Sequence, residues 1–287
     1  MNPEVQAFFD EATFTVSYVV HAPGGNRAVI IDSVLGYDPK SGRTSTAPPD
    51  KILAYLAEKN LAVDWILETH VHADHLMAAP YLKTKTGART GIGTGIATVQ
   101  RTFKAIYNFG DWLASDGRQF DKLFADGETF SCGPLTGRVI HTPGHTPACV
   151  TYAIGDAAFV GDTIFMPDYG TARADFPGGD ARQLYRSLRR ILDLPRETRL
   201  FMCHDYGPNG RPYAWLTTVA EERAGNIHVK DGIGEDQYVA MRTERDRKLA
   251  VPVLLLPSVQ VNMNGGRFPP AENNGVSYLK IPLNAFG

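Results

Sequence analysis

Three imidazoles and a carboxylate crowd into Thr69-His70-Val71-His72-Ala73-Asp74-His75, directly after the apolar run 63–67. Imidazole and carboxylate are common protein ligands for zinc and iron. Side chains two apart in an extended chain share a face, so His70 and His72 can face one metal. A turn at Ala73 lets Asp74 and His75 face a second position beside it. The run 63–67 reads as a buried strand, and open sheets place ligand sites at the C-terminal ends of their strands.

The rest of the chain supplies such sheets. Residues 14–20 alternate like a half-buried strand, and 28–32 reads as a buried strand ending in Asp32, with a turn at Pro23-Gly24-Gly25-Asn26 between them. Residues 36–49 are rich in Gly, Ser and Thr and read as a loop, after which Asp50 caps a helix through Ala57. A helix over 75–85 closes at Gly87, with Pro80 implying a kink or a later start. Helices are also expected over 95–107, 180–192 (capped by Asp180), 214–223 and 235–249. Strands are expected over 135–141 and 199–203, and a hairpin pairs 150–154 with 157–160. The tail from Val251 reads as extended and docked on the body, because 253–261 is too apolar to float free. Interleaved strands and helices over 287 residues predict a layered α/β or α+β fold. The expected organisation is a single domain over 1–287, its C-terminal extension from about residue 225 lying on it.

Four segments repeat the ligand-rich character at strand ends: 70–75, then His141 to Thr146, then Gly161-Asp162-Thr163, then Cys203-His204-Asp205-Tyr206. Asp162 can bridge two cations. His70, His72 and His145 could complete one site, and Asp74, His75 and His204 a second. Two such metals would sit roughly 3.5–4 Å apart and could hold a hydroxide for hydrolysis. His141 is expected to be structural, Cys149 a buried small residue, and His21 and His228 surface residues.

Composition excludes other classes. Lys plus Arg is 29 and Asp plus Glu 31, a net charge of −2, so nothing favours nucleic acid or an anionic membrane. The first residues lack the basic and apolar regions of a signal peptide. Three separated cysteines argue against a disulfide framework, and a cytoplasmic location is expected.

The set and order of ligands (HxHxDH, a lone His, Asp, His) resembles the metallo-β-lactamase superfamily, which implies an αββα sandwich with a metal site at one edge. Further segments narrow the resemblance. They are Ile31-Asp32-Ser33-Val34-Leu35, Pro143-Gly144-His145-Thr146-Pro147-Ala148-Cys149-Val150, Gly161-Asp162-Thr163-Ile164-Phe165, Thr171-Ala172-Arg173-Ala174-Asp175-Phe176 and His204-Asp205-Tyr206. Together these look like the persulfide dioxygenases related to the mitochondrial ethylmalonic encephalopathy protein, and most like their bacterial, β-lactamase-like hydrolase members. That resemblance implies one Fe(II) per chain held by His70, His145 and Asp162, with His72, Asp74, His75 and His204 orienting ligands and water around it. It also implies that Arg173 and Tyr206 contact the glutathione portion of the substrate. The implied reaction takes glutathione persulfide, O₂ and water to sulfite and glutathione, as in sulfide detoxification. The rival expectation is a thioester hydrolase resembling glyoxalase II, with zinc or a dinuclear site, because all seven possible ligands are present. Loss of ligands would mark a non-catalytic module, and none is lost. The apolar stretch of the tail could form a homodimer interface.

Overall fold

The computed structural model describes residues 1–285. Two six-stranded sheets stack face to face. The first runs, edge to edge, β1 (Glu4–Asp10), β2 (Thr15–His21), β3 (Arg27–Ile31), β6 (Ala62–Leu67), β8 (Arg89–Gly93) and β9 (Lys122–Phe124). The second runs in chain order from β10 (Thr129–Cys132) through β11 (Leu135–His141), β12 (Val150–Ile154), β13 (Ala157–Phe159) and β14 (Arg199–Phe201) to β15 (Leu216–Thr218). A small sheet of β4 (Val34–Asp38), β5 (Arg43–Ser45) and β7 (Leu76–Met77) sits beside them.

The period-two pattern of the sequence explains the layering. On β2, Val16, Tyr18 and Val20 point into the core between the sheets, where they meet Phe130, Tyr152, Phe159 and Phe201. Val19 points the other way, with Ile30 and Ile66, onto α1 (Ala47–Glu58) and α2 (Ala79–Thr86). On the far side, Ala158 and Leu200 meet α4 (Ala181–Leu192), α5 (Val219–Gly225) and α6 (Glu235–Asp246) through Leu184, Leu188, Val219 and Tyr238. Helices therefore cover both outer faces, giving the αββα sandwich that the ligand order implied. No helix among the described residues is long and apolar enough to cross a membrane.

Several elements depart from the sequence reading. The expected loop 36–49 holds β4, β5 and the start of α1, which begins at Ala47 because Pro48 and Pro49 fit the first turn without losing a hydrogen bond. Asp50 thus lies within the first turn and accepts from the Thr46 and Tyr81 hydroxyls. Pro80 delays α2 to Ala79, the later start its ring requires. Residues 214–223 divide into β15 and α5, with Thr218 and Glu221 forming a capping box. Asp180 caps α4 as expected, accepting from the amides of Arg182 and Gln183.

The tail is not extended throughout. Leu255–Asn262 forms α7, with Pro257 tolerated in its first turn. Leu255 and Val259 bury against α3 (Ile96–Ile106), beside Val99 and Phe103, while Val261 joins the cluster under α1 and α2. Burying two sides at once favours a helix over a strand lying on the surface.

Candidate metal centre

The histidine segment leaves β6 at one edge of the sandwich, and the other ligand segments leave β11, β13 and β14 at the same edge. One ligating atom each from His70, His145 and Asp162 lies within 4.8 Å of the other two. Two glycines make this closeness possible. Gly144 has φ +137°, and a Cβ there would lie 2.3 Å from the backbone of Leu184 on α4. Gly161 has φ +52°, and a Cβ there would lie 2.6 Å from Thr69 Oγ1.

Each imidazole gives one nitrogen to the protein and leaves the other for the centre. The Thr69 hydroxyl donates to Asp32 Oδ2 at 2.8 Å, so its oxygen accepts from His70 Nδ1 at 3.0 Å. His145 Nδ1 lies 2.8 Å from the Arg173 carbonyl, which can only accept. His204 Nδ1 likewise faces the Phe14 carbonyl at 3.1 Å. These partners fix the tautomers and leave the Nε2 lone pairs facing Asp162, at 3.9 Å for His70, 3.8 Å for His145 and 3.3 Å for His204. His72 is turned the other way, with Nε2 3.1 Å from Asp32 Oδ1 and 3.4 Å from Glu68.

Buried atoms without hydrogen-bond partners include His70 Nε2, His75 Nε2, His204 Nε2, His72 Nδ1 and Asp162 Oδ1. Such orphaned acceptors are costly in a folded protein unless something bridges them, and a divalent cation fits this donor set. Burial, reinforced by His72, holds His70 below its ordinary value, so its ring stays neutral as a ligand must be. Burial works against ionisation of Asp74, but His204 and His75 outweigh it and hold the carboxyl well below its usual range. The same pairing lifts His204: burial lowers it, and Asp162 and Asp74 raise it further. A second ligand group, His72, Asp74 and His75, lies within reach of a cation of its own.

A cavity of about 520 Å³ opens onto the centre. His145, Asp162 and His204 reach its floor, and Phe165, Tyr206 and Arg245 stand among its walls. The Tyr206 ring stacks parallel to His204 and against Tyr169. Arg173 also lines it, but its guanidinium is paired with Asp175 at 2.6 and 2.8 Å and with the Ala250 carbonyl at 2.7 Å. By contrast Arg245 lies over the Tyr169 ring at 5.9 Å and has no carboxylate partner among the described residues. Sequence reasoning passed over Arg245 because it sits in an ordinary charged helix, where nothing in the run Met241 to Lys248 singles it out.

Outside the centre, His141 is held by the Phe124 carbonyl, and Cys149 is buried with its thiol pushed up to about 12 by that burial. His21 and His228, expected at the surface, are buried. His21 bridges the Ala22 carbonyl and the Tyr55 hydroxyl, and His228 accepts from the Thr171 amide. Burial lowers His228 to about 3, so it serves as a neutral acceptor. Neither partner is near in sequence, Ala22 excepted, which is why the buried roles were not visible.

The family model described as the metallo-beta-lactamase superfamily matches residues 10–204. A probable metallo-hydrolase of Burkholderia pseudomallei is 57% identical over 98% of this chain and 99% of its own length. The mitochondrial persulfide dioxygenase ETHE1 of Homo sapiens is 30% identical over 77% of this chain and 74% of its own. A hydroxyacylglutathione hydrolase of Methylococcus capsulatus is 32% identical over 79% and 78%. Among solved structures, ETHE1 from Myxococcus xanthus superposes with a TM-score of 0.73 at 28% identity, covering 92% of this chain and all of that one. The chain belongs to the metallo-β-lactamase superfamily.

Proposed function

We propose that the protein is a non-haem iron persulfide dioxygenase, oxidising glutathione persulfide with O₂ and water to sulfite and glutathione. The observation that carries this reading is the set of two imidazoles and one carboxylate, His70, His145 and Asp162, with both imidazole tautomers fixed from behind. Two histidines and one carboxylate are the facial ligand set of non-haem Fe(II) oxygenases, which leaves coordination positions open. Iron bound there would supply one-electron chemistry that zinc lacks.

The chain's own residues supply recognition and order. Arg245, unpaired and facing the cavity, suits a peptide carboxylate. Tyr206 offers a phenol hydrogen bond over the His204 ring. His204 Nε2 lies 3.5 Å from Asp74 and 3.3 Å from Asp162, so His204 and Asp74 stand where they would orient water and restrain the Asp162 carboxylate. Arg173 acts chiefly through its backbone carbonyl on His145.

A glyoxalase II-like thioester hydrolase is the second reading. The unpaired Nε2 atoms of His75 and His204 favour it, because they could complete a second metal site with Asp74 and Asp162. Anaerobic metal analysis combined with O₂ uptake on glutathione persulfide separates the two. The dioxygenase reading expects one iron per chain and O₂ consumption. Turnover of S-lactoylglutathione without O₂ by a two-metal form, and no O₂ uptake by the iron form, would reverse it.

A further inference from the structure

Asn262, the last residue of α7, lies beyond the span of the family match and is wholly buried. Its side chain reaches back to the histidine segment. Nδ2 donates to the His72 carbonyl at 2.8 Å and to the His75 carbonyl at 2.7 Å, while Oδ1 accepts from the Met77 amide at 2.9 Å. The partners leave no ambiguity about which end is which, since a carbonyl can only accept and an amide N–H only donate. One side chain thus clasps three points of the turn that presents His72, Asp74 and His75.

Side-chain contacts also hold the turn, His72 on Asp32 and Asp74 on the Thr15 hydroxyl, but the backbone groups of His72, His75 and Met77 are held by Asn262. The turn lies between β6 and the two-residue β7, which pairs with β4 alone. His72, His75 and Met77 are fully buried, so their backbone groups need partners inside the protein. Helix α7 is itself anchored, with the Gln100 amide donating to the Met263 carbonyl and Val259 packed beside Phe103. The clasp therefore hangs from a rigid element.

We infer that Asn262 is a positioning residue for the metal centre: it sets the turn carrying His72, Asp74 and His75 relative to His70, and so makes the C-terminal extension part of the ligand scaffold. The inference rests on the metal-site reading but not on which reaction follows. Loss of the clasp lets the turn relax and moves His72, whose ring packs on His70, and Asp74, which faces His204, so the neighbours that order the centre are no longer in place. Substitutions of partners that orient ligands weaken metal binding by about 10–100-fold, and Asn262, acting through backbone, belongs near the lower figure.

The test uses Asn262→Asp, which keeps the acceptor for Met77 but removes both donors, and the milder Asn262→Ser. Gln260→Ala is the control. Gln260 is buried on the same helix and makes three hydrogen bonds, to the Leu256 and Lys280 carbonyls and from the Lys280 amide, none of them to the histidine turn. Metal-free full-length proteins are titrated with Fe(II) anaerobically and with Zn(II) against a chelator. Co(II)-substituted samples are followed by visible absorption, and melting temperatures are recorded alongside. The expected result is metal binding weaker by about 10-fold in both Asn262 variants, with a changed Co(II) spectrum, and near-native affinity and spectrum in Gln260→Ala despite a comparable fall in melting temperature. Should Asn262→Asp fail to fold, the serine variant decides. Native affinity and spectrum in the Asn262 variants, or equal weakening in all three, overturns the inference. A wild-type protein that takes up no metal instead removes the site reading beneath it.

Discussion

The Arg173 carbonyl lies 2.8 Å from His145 Nδ1, while the Arg173 guanidinium is committed to Asp175 and to the Ala250 carbonyl. Backbone and side chain of one residue therefore face different tasks. Replacement of the side chain leaves the carbonyl in place, so Arg173→Gln is expected to retain metal and to show its main effect on stability, through the Asp175 carboxylate it leaves unpaired. Arg245→Ala removes a cation that no protein carboxylate satisfies. It should raise KM for a glutathione-derived substrate by about 10-fold or more with kcat unchanged, the loss of one charge-assisted contact made equally in ground and transition states. Steady-state kinetics on both variants check this; a larger KM effect from Arg173→Gln would return the anchoring role to Arg173.

Ligand identity can be read from stoichiometry. With one metal held by His70, His145 and Asp162, His70→Ala and Asp162→Asn should each weaken binding by more than about 100-fold, beyond what loss of an outer partner does. His204→Ala should keep one metal per chain. Elemental analysis after anaerobic loading measures it. A wild-type content of two metals that falls to one in His204→Ala would instead support the dinuclear site.

How much of this was legible in the sequence depends on distance along the chain. The layered αββα architecture and the Asp180 cap are local or ordered patterns that reappear in the structure, and the segments from His70 to His204 come together at one edge of it. The clasp of Asn262 on His72 and His75 spans nearly 190 residues, and a lone Asn in an Asn- and Gly-rich tail carries no periodic signal. Helix α7 differs from the extended tail expected, because Pro257 occupies its first turn, where a proline breaks no helical hydrogen bond. The buried roles of His21 and His228 depend on Tyr55 and Thr171, partners that only the fold brings close.

Acid–base behaviour should reveal a buried carboxyl that is not part of the metal centre. Glu222 on α5 is fully buried, accepts from Asn226 Nδ2 at 2.6 Å and leaves its second oxygen without a partner. Burial, only partly offset by Asn226, pushes its carboxyl from 4.5 up to about 8. A folded-state value above the unfolded one means that its contribution is complete below the unfolded value and is lost as pH rises through the folded value. Stability should therefore decline between pH 4.5 and about 8 on this account. Glu222→Gln, which cannot ionise, should flatten that decline and stabilise the protein above the window by about 3–5 kcal/mol. Urea unfolding at several pH values checks it; an unchanged slope in the variant would place the pH dependence elsewhere.

Gly161 offers a way to disturb His70 without touching it. Thr69 Oγ1 links Asp32 to His70 Nδ1, and a Cβ on Gly161 would fall 2.6 Å from that oxygen and 2.7 Å from Thr69 Cβ. Gly161→Ala should cost about 1–3 kcal/mol from the left-handed backbone, and in addition should weaken metal binding because Thr69 must move and release the imidazole. Gly87→Ala separates the two effects. Gly87 is also left-handed, with φ +70°, but a Cβ there meets nothing within 4 Å, so it should carry the backbone cost alone. Urea unfolding and metal titration on both variants give the comparison. Equal metal affinity in the two would mean that the Thr69 contact does not govern His70, and that the imidazole is held by packing against His72 and His145 instead.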